Sequence, residues 1–266
     1  MVKDIDAGAG SSTPFDFAAI NGGVEFYAFD GANYGLFRSD GTAAGTIELA
    51  SNVQTSTPIG ATSAPVPSDF NGDALSDILW QNTSGQAAIW GVNGINAISG
   101  GSVSPNPGPS WTEIGSGDFN GDGHSDILLQ NTSSGQAVIW EMDGTNVIGG
   151  GDVSLNAGPS WKAIGTGDFN DDGHSDILFQ NTSSGQVAIW EMNGLNVIGG
   201  GAVSSIPGPS WHAIGTGDFN GDGHADMRWQ NVDGQTAIWE MNGTSQIPGG
   251  SQILSSNPGS SWRAVA

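Results

Sequence analysis

The chain has no cysteine in 266 residues, so it uses neither disulfides nor free thiols; that absence alone does not decide the compartment. Basic residues are nearly as scarce, with five Lys plus Arg against 27 Asp plus Glu and a formal net charge of −22. Without a basic patch to neutralise phosphates, nucleic acid is not an expected partner. An anionic membrane surface is disfavoured for the same reason. No run approaches 18 consecutive apolar residues, so no membrane span is expected. The residues after Met1, VKDIDAGAG, are polar and small, unlike a secretory leader. Because Val2 enters partway through a repeat-like pattern, the chain reads as a piece of something larger. Sustained 3.6-residue apolar periodicity is missing too, and 44 glycines weigh against helices. All-β is the expected class.

What the chain does have is one acidic stretch, used four times. DFNGDGHSD (Asp118 to Asp126) returns as DFNDDGHSD (Asp168 to Asp176) and DFNGDGHAD (Asp218 to Asp226), and in weaker form as DFNGDALSD (Asp69 to Asp77). The spacings of 49, 50 and 50 residues leave little room for chance. Thirteen of the 27 acids lie inside these loops, so the acidity is not a disordered tail. Each copy places Asp, Asn, Asp and Asp at positions 1, 3, 5 and 9. Carboxylates forced within about 4 Å repel by roughly 4 kcal/mol per pair at a surface-like dielectric. A divalent cation reverses that sign. Oxygen-only donors on a flexible loop favour calcium over zinc or copper, and over magnesium where six to eight donors are on offer.

The expected ligands are side-chain oxygens plus the backbone carbonyl at position 7. They are Asp118, Asn120, Asp122, His124 and Asp126; Asp168, Asn170, Asp172, His174 and Asp176; and Asp218, Asn220, Asp222, His224 and Asp226. The first copy offers Asp69, Asn71, Asp73, Leu75 and Asp77, but Ala74 replaces the glycine that permits positive φ at position 6. Three Ca2+ sites and a weaker fourth are therefore expected. The alternative is a metal-free, Asx-rich hairpin turn. An EF-hand would close with Glu at position 12 between helices; here position 12 is Leu129 in one copy and Phe179 in the next, inside a strand-like run.

With the motif DxNGDGxxD followed by an apolar strand, residues 66 to 262 resemble FG-GAP/VCBS-type repeats. That resemblance implies calcium-carrying β-propeller blades like those of integrin α-subunits and many bacterial secreted proteins, and says little about ligand. Leu36 to Thr46, LFRSDGTAAGT, resembles a different bacterial repeat known mainly from large surface or secreted proteins.

Each later unit runs in one order: a Trp strand (SWTEIGSGDF), the acidic loop, SDILLQN, the turn NTSSG, GQAVIWEM, then a Gly-rich turn into NVIGGGDVS. Four short strands joined by hairpins is the pattern of a propeller blade. Residues 1 to 23 read as an extended lead-in. Three candidate strands follow (VEFYAFD, YGLFRSD, GTIELA), with Asp40-Gly41 as a hairpin signal. Residues 51 to 68 read as a connector. The chain stops on SSWRAVA, a Trp strand without its loop. Pairing that strand with the N-terminal three would close a ring of five four-stranded blades within a single 1–266 domain. Its parts would be an N-terminal blade over 1–60, loop blades over 61–110, 111–160, 161–210 and 211–260, and a closing strand at 261–266. An open arc of a larger propeller is the alternative.

Catalysis is not expected. His124, His174 and His224 recur at one loop position, with side chains free to point outward, and His212 stands alone on a Trp strand. Glu141, Glu191 and Glu240 recur after Ile-Trp, with Glu113 near one of them in pattern; recurring strand-end acids suit a solvated face or a hydrogen-bond acceptor better than a glycosidase pair. Trp111, Trp161, Trp211 and Trp262, and Trp90, Trp140, Trp190 and Trp239, suit packing between blades. Read functionally, they would be a stacking platform for sugar rings. Trp80 and Trp229 stand where Leu129 and Phe179 do, which suggests packing. The sequons at Asn82, Asn131, Asn181 and Asn242 fit turn chemistry. The expected role is a calcium-binding scaffold or interaction module, secreted or on a bacterial cell surface, with an extracellular protein or glycan as partner. The alternative is a carbohydrate-binding propeller or the substrate-holding module of a polysaccharide enzyme.

Overall fold

β-branched and aromatic runs broken by Asp, Asn and Gly turns give strands throughout the computed structural model. It describes residues 15–20, 23–29, 34–39, 41–42, 46–50, 66–204, 208 and 210–262. The chain divides into two compact units, residues 1–64 and 65–266. Among the described residues no helix is long and apolar enough to cross a membrane.

The first unit is an antiparallel meander of β1 (Phe15–Ile20), β2 (Gly23–Phe29), β3 (Tyr34–Ser39) and β4 (Ile47–Ala50), in that order. Alternation puts Phe26, Ala28 and Phe37 in its small core, with the rings of Phe26 and Phe37 stacked at 6.0 Å. The SDGTAAGT stretch joins β3 to β4, and a 2.7 Å bond between the buried Ser39 and Thr46 hydroxyls ties its ends.

Two expectations change here. The lead-in contains a strand, because Ile20 pairs with Gly23 across Asn21-Gly22, the dipeptide of a two-residue hairpin. The sheet therefore reaches four strands within residues 15–50, without the C-terminal strand that was expected as its fourth. Residues 51–65 and 263–266, and with them most of the expected connector and the body of the closing strand, lie outside the described residues.

The second unit carries the acidic loops on four successive sheets. The first has three short strands, β5 (Ile78–Gln81), β6 (Ala87–Trp90) and β9 (Gly101–Ser102), beside a ribbon of β7 (Val92–Asn93) and β8 (Asn96–Ala97). Among the described residues no strand precedes its loop, and the sequence there is ATSAPVPS where the others have a Trp strand. The second is β10 (Trp111–Gly117), β11 (Asp126–Asn131), β12 (Ala137–Asp143) and β13 (Asn146–Asp152). The third is β14 (Trp161–Gly167), β15 (Asp176–Asn181), β16 (Val187–Asn193) and β17 (Asn196–Ala202). The fourth is β18 (Trp211–Gly217), β19 (Asp226–Asn231), β20 (Thr236–Asn242) and β21 (Ser245–Ile253). The strand pairings are antiparallel, and in the second, third and fourth sheets they join sequence neighbours. Each of those three loops therefore bridges the first and second strand of its own sheet, whereas the first loop precedes β5.

The central strands β11 and β15 are buried on both faces, because each sheet packs against the one before and the one after. One face meets the next sheet: Phe119, Leu128 and Ile139 cluster with Ile177, Phe179 and Met192, and the pattern recurs one repeat later with Phe169, Leu178 and Ile189 against Met227, Trp229 and Met241. Phe70, Ile89 and Val103 meet Ile127, Leu129 and Met142 in the same way. Burying each such side chain contributes about 1.5–3 kcal/mol. The triple glycine of the outer strand follows from close approach. A Cβ on Gly150 would lie 2.1 Å from the Ile139 carbonyl oxygen, and φ there is +102°.

Candidate metal centre

In the second loop the position-1 carboxylate organises the backbone. Asp118 Oδ1 accepts from the amides of Gly121 (2.7 Å) and Asp122 (3.1 Å), and Oδ2 accepts from Gly123 (2.8 Å). Asn120 Oδ1 accepts from Asp122 N at 3.0 Å, and Asp122 Oδ1 from His124 N at 2.8 Å. These i to i+2 bonds are Asx turns, and they bend nine residues tightly enough to keep the donors on one loop. Gly121 and Gly123 take positive φ, +76° and +88°, as the bend demands.

The position-9 acid has a second task. Asp126 is fully buried; Oδ2 accepts from Phe119 N and Oδ1 from Met142 N, each at 3.0 Å, so one carboxylate pins the loop entrance to the third strand of the sheet. Asp176 and Asp226 repeat both bonds, to Phe169 and Met192 and to Phe219 and Met241. In the first loop Asp77 bonds Phe70 N and Val92 N. The first loop keeps the shared frame despite its missing glycine: Ala74 takes φ +63° and its amide reaches Asp69 Oδ2 at 2.8 Å. In the third, Asp171 occupies the position-4 glycine site at φ +59°.

Burial pushes the Asp126 and Asp176 carboxyls up to about 7; backbone amides oppose this, while the neighbouring loop carboxylates add to it. Asp226 is raised for the same reasons. At Asp218 burial raises the pKa, but the backbone amides of Gly221, Gly223, Asp222 and Asn220 together outweigh it, so the net shift is downward.

Among the described residues no three His, Cys, Asp or Glu side chains converge as a group able to hold a metal ion. The acids of each loop stand as separate acceptors for backbone amides, which is also the arrangement of a plain Asx-rich turn. The donor set nonetheless suits a hard cation. Each loop carries carboxylate and amide oxygens with lone pairs beyond those its amides use, and in the second and third loops a buried acid lacks compensating positive charge in the loop. The residues fit calcium in chemistry, and the shell would have to be gathered by the ion.

One expectation about the loops is corrected. The position-7 histidines do not point freely outward; each reaches back to the loop before it. Nδ1 of His124, His174 and His224 lies 3.2, 3.1 and 2.9 Å from the carbonyl oxygen of Phe70, Phe119 and Phe169. Since a carbonyl only accepts, Nδ1 carries the proton. The Asn193 and Asn242 amides then donate to Nε2 of His174 and His224, at 3.4 and 3.2 Å. The His124 ring also lies over Gly72, and that of His174 over Gly121, where a Cβ would come within 2.9 and 2.7 Å of Cε1. Backbone bonds of 2.6 Å from Ser125 to Asp69, Ser175 to Asp118 and Ala225 to Asp168 complete the joint between loops. The sequence carried a signal for this: the one loop without a predecessor has Leu75 at that position.

The other candidates fall outside the loops. His212 is exposed on β18. Glu141 and Glu191 lie along their outer strands, where a Cβ on Gly149 or Gly199 would meet Oε2 at 2.2 Å. Glu113 occupies the position of the buried Ala163 and Ala213, and burial pushes its carboxyl up to about 7. The recurring tryptophans Trp111, Trp140, Trp161, Trp190, Trp211 and Trp239 pack in or against the clusters between sheets. Asn82, Asn131 and Asn181 cap turns, each with Oδ1 accepting the amide two residues on.

Successive antiparallel sheets, each carrying an acidic loop and the last three keyed through it to the loop before, define an all-β repeat protein. A model described as an FG-GAP-like repeat matches residues 69–129, 118–179 and 168–229, each window running from one loop through the strand after the next. The chain belongs to the FG-GAP-like repeat family, whose members suggest a propeller-like interaction module. No curated protein matches it. Among solved structures, dihydro-heme d1 dehydrogenase NirN in complex with DHE is similar over 97% of this chain and 50% of its own, at 11% identity and a TM-score of 0.39. The PilY1 C-terminal domain of Pseudomonas aeruginosa is similar over 62% of this chain and 38% of its own, at 10% identity and a TM-score of 0.32. The chain spans half the length of the first or less, and neither likeness bears on activity.

Proposed function

We propose that this chain is a calcium-stabilised, non-catalytic interaction module of an extracellular protein, its sheets acting as propeller-type blades. The observation that carries the reading is the buried acid at position 9, held at the end of an oxygen-rich loop and repeated in every sheet of the second unit. In each loop the side chains of positions 1, 3, 5 and 9 and the position-7 carbonyl would hold the ion. These are Asp118, Asn120, Asp122, His124 and Asp126 in the second loop, and their counterparts beginning at Asp69, Asp168 and Asp218. The ion would supply positive charge that lets the buried carboxylates ionise without mutual repulsion. Since it binds the folded loops and not the unfolded chain, calcium stabilises the fold by mass action. That role is structural, and partner binding falls to other surfaces. Calcium-rich surroundings outside the cell suit such loops.

Thermal unfolding in calcium and in excess chelator tests this. Calcium should raise Tm, and Asp122→Ala or Asp172→Ala should lower it in calcium while changing little in chelator. Equal losses in both buffers would sink the metal role.

A further inference from the structure

Within the second unit, the first and last loop-bearing sheets each carry side chains that are exposed where their counterparts in the other sheets are buried. Inside it, each sheet turns a trailing face to the leading face of its successor. Leu128 and Leu178, both fully buried, stand on trailing faces; Leu178 shares a cluster with Trp229 and Trp239 of the following sheet. On the fourth sheet that place belongs to the half-buried Arg228, whose buried Nε has no hydrogen-bond partner. Phe219 is 47% exposed there, whereas Phe70, Phe119 and Phe169 are fully buried by the next sheet. Gly117 and Gly167 are covered by Ser175 and Ala225 of the next loop; on the fourth sheet the chain uses its own side chains, with the Phe219 ring over Gly217 and the Arg228 guanidinium over Gly215.

The leading face of the first loop-bearing sheet shows the converse. Ile78, Trp80 and Trp90 are 41, 48 and 47% exposed, while their counterparts Ile177, Phe179, Met227 and Trp229 are buried. The Trp80 and Trp90 rings lie 5.2 Å apart at 58°. That arrangement matches Phe179 with Trp190 (4.7 Å, 54°) and Trp229 with Trp239 (5.0 Å, 53°), both of which receive a preceding sheet.

We propose that the leading face of one copy of this chain docks on the trailing face of a second copy, repeating the internal sheet-to-sheet contact with Arg228 against the Trp80–Trp90 pair. The internal repeat sets the register: the residue in the Leu178 position meets the aromatic pair of the following sheet. A guanidinium over indole faces is favourable. The contact is heterologous, so association continues into a ring if the rotation closes and into a filament if it does not.

Sedimentation in calcium tests the contact. The native chain should associate with rising concentration, and Trp80→Ser/Trp90→Ser or Arg228→Glu should each weaken association by about tenfold or more. Circular dichroism should show both variants folded, because Trp80 and Trp90 are about half exposed and Arg228 is only half-buried, at the last sheet of the array. Each variant retains one intact face, so an equimolar mixture of the two should form a discrete 1:1 dimer. A native chain that stays a single 27.1 kDa species, or a mixture that stays monomeric while both variants are folded, overturns the proposal. Calcium without effect on Tm would sink the metal reading and leave this test standing.

Discussion

At the scale of single residues, Ala74 and Asp171 hold backbone conformations that glycine holds elsewhere in the repeat. A side chain at positive φ costs about 1 kcal/mol relative to glycine. Ala74→Gly and Asp171→Gly should therefore each raise stability by roughly 0.5–1 kcal/mol in chemical denaturation. Unchanged midpoints would mean that the loops relax around these residues. Glu113 gives a pH signature. Its folded pKa of about 7 stands above an ordinary 4.5, so the folded state prefers the protonated acid. The stability this contributes is fully present below pH 4.5 and is lost as pH rises to about 7. Glu113→Gln should thus be near neutral at pH 4 and stabilise by about 2 kcal/mol at pH 8. A pH-independent effect would place the carboxylate in water instead.

At the scale of elements, the joint between loops is the device that the repeat adds to a plain hairpin. One carbonyl, that of Phe119, receives His174 Nδ1 at 3.1 Å and Gly194 N at 2.7 Å, so a loop is anchored by two elements of the following sheet. His174→Ala removes one anchor and leaves the other. It should cost about 1 kcal/mol and speed amide exchange in both the Asp118 and Asp168 loops. Faster exchange confined to the Asp168 loop would show that the histidine ties nothing across the joint. The order of strands in this unit was legible because each carries a fixed tag: Trp on the first, the acidic loop before the second, Ile-Trp on the third. β1 was missed although Asn21-Gly22 marks its turn, because Gly, Ala, Ser and Thr around it diluted the β signal.

At the scale of the whole molecule, the four loops share one backbone frame but not one environment. The Asp69 loop has a strained Ala74, no histidine reaching back from it and a three-stranded sheet behind it. It should take calcium last, so calorimetric titration should show three similar sites and a weaker one. Four equivalent tight sites would contradict this. The same end of the array bears Trp80 and Trp90 half exposed, so surface apolarity also changes there.

The sequence by itself determined the all-β class, the repeat length and the donor chemistry of the loops, because strand period, turn residues and acid spacing are local properties written once per repeat. Which way a position-7 imidazole turns, that Asp126 clamps a distant strand, and which of several identical positions lie buried or bare depend on the neighbour each repeat meets. Only the tertiary structure supplies that neighbour: equal side chains at Trp90 and Trp239 differ in exposure because one is met by a preceding loop-bearing sheet and the other is not.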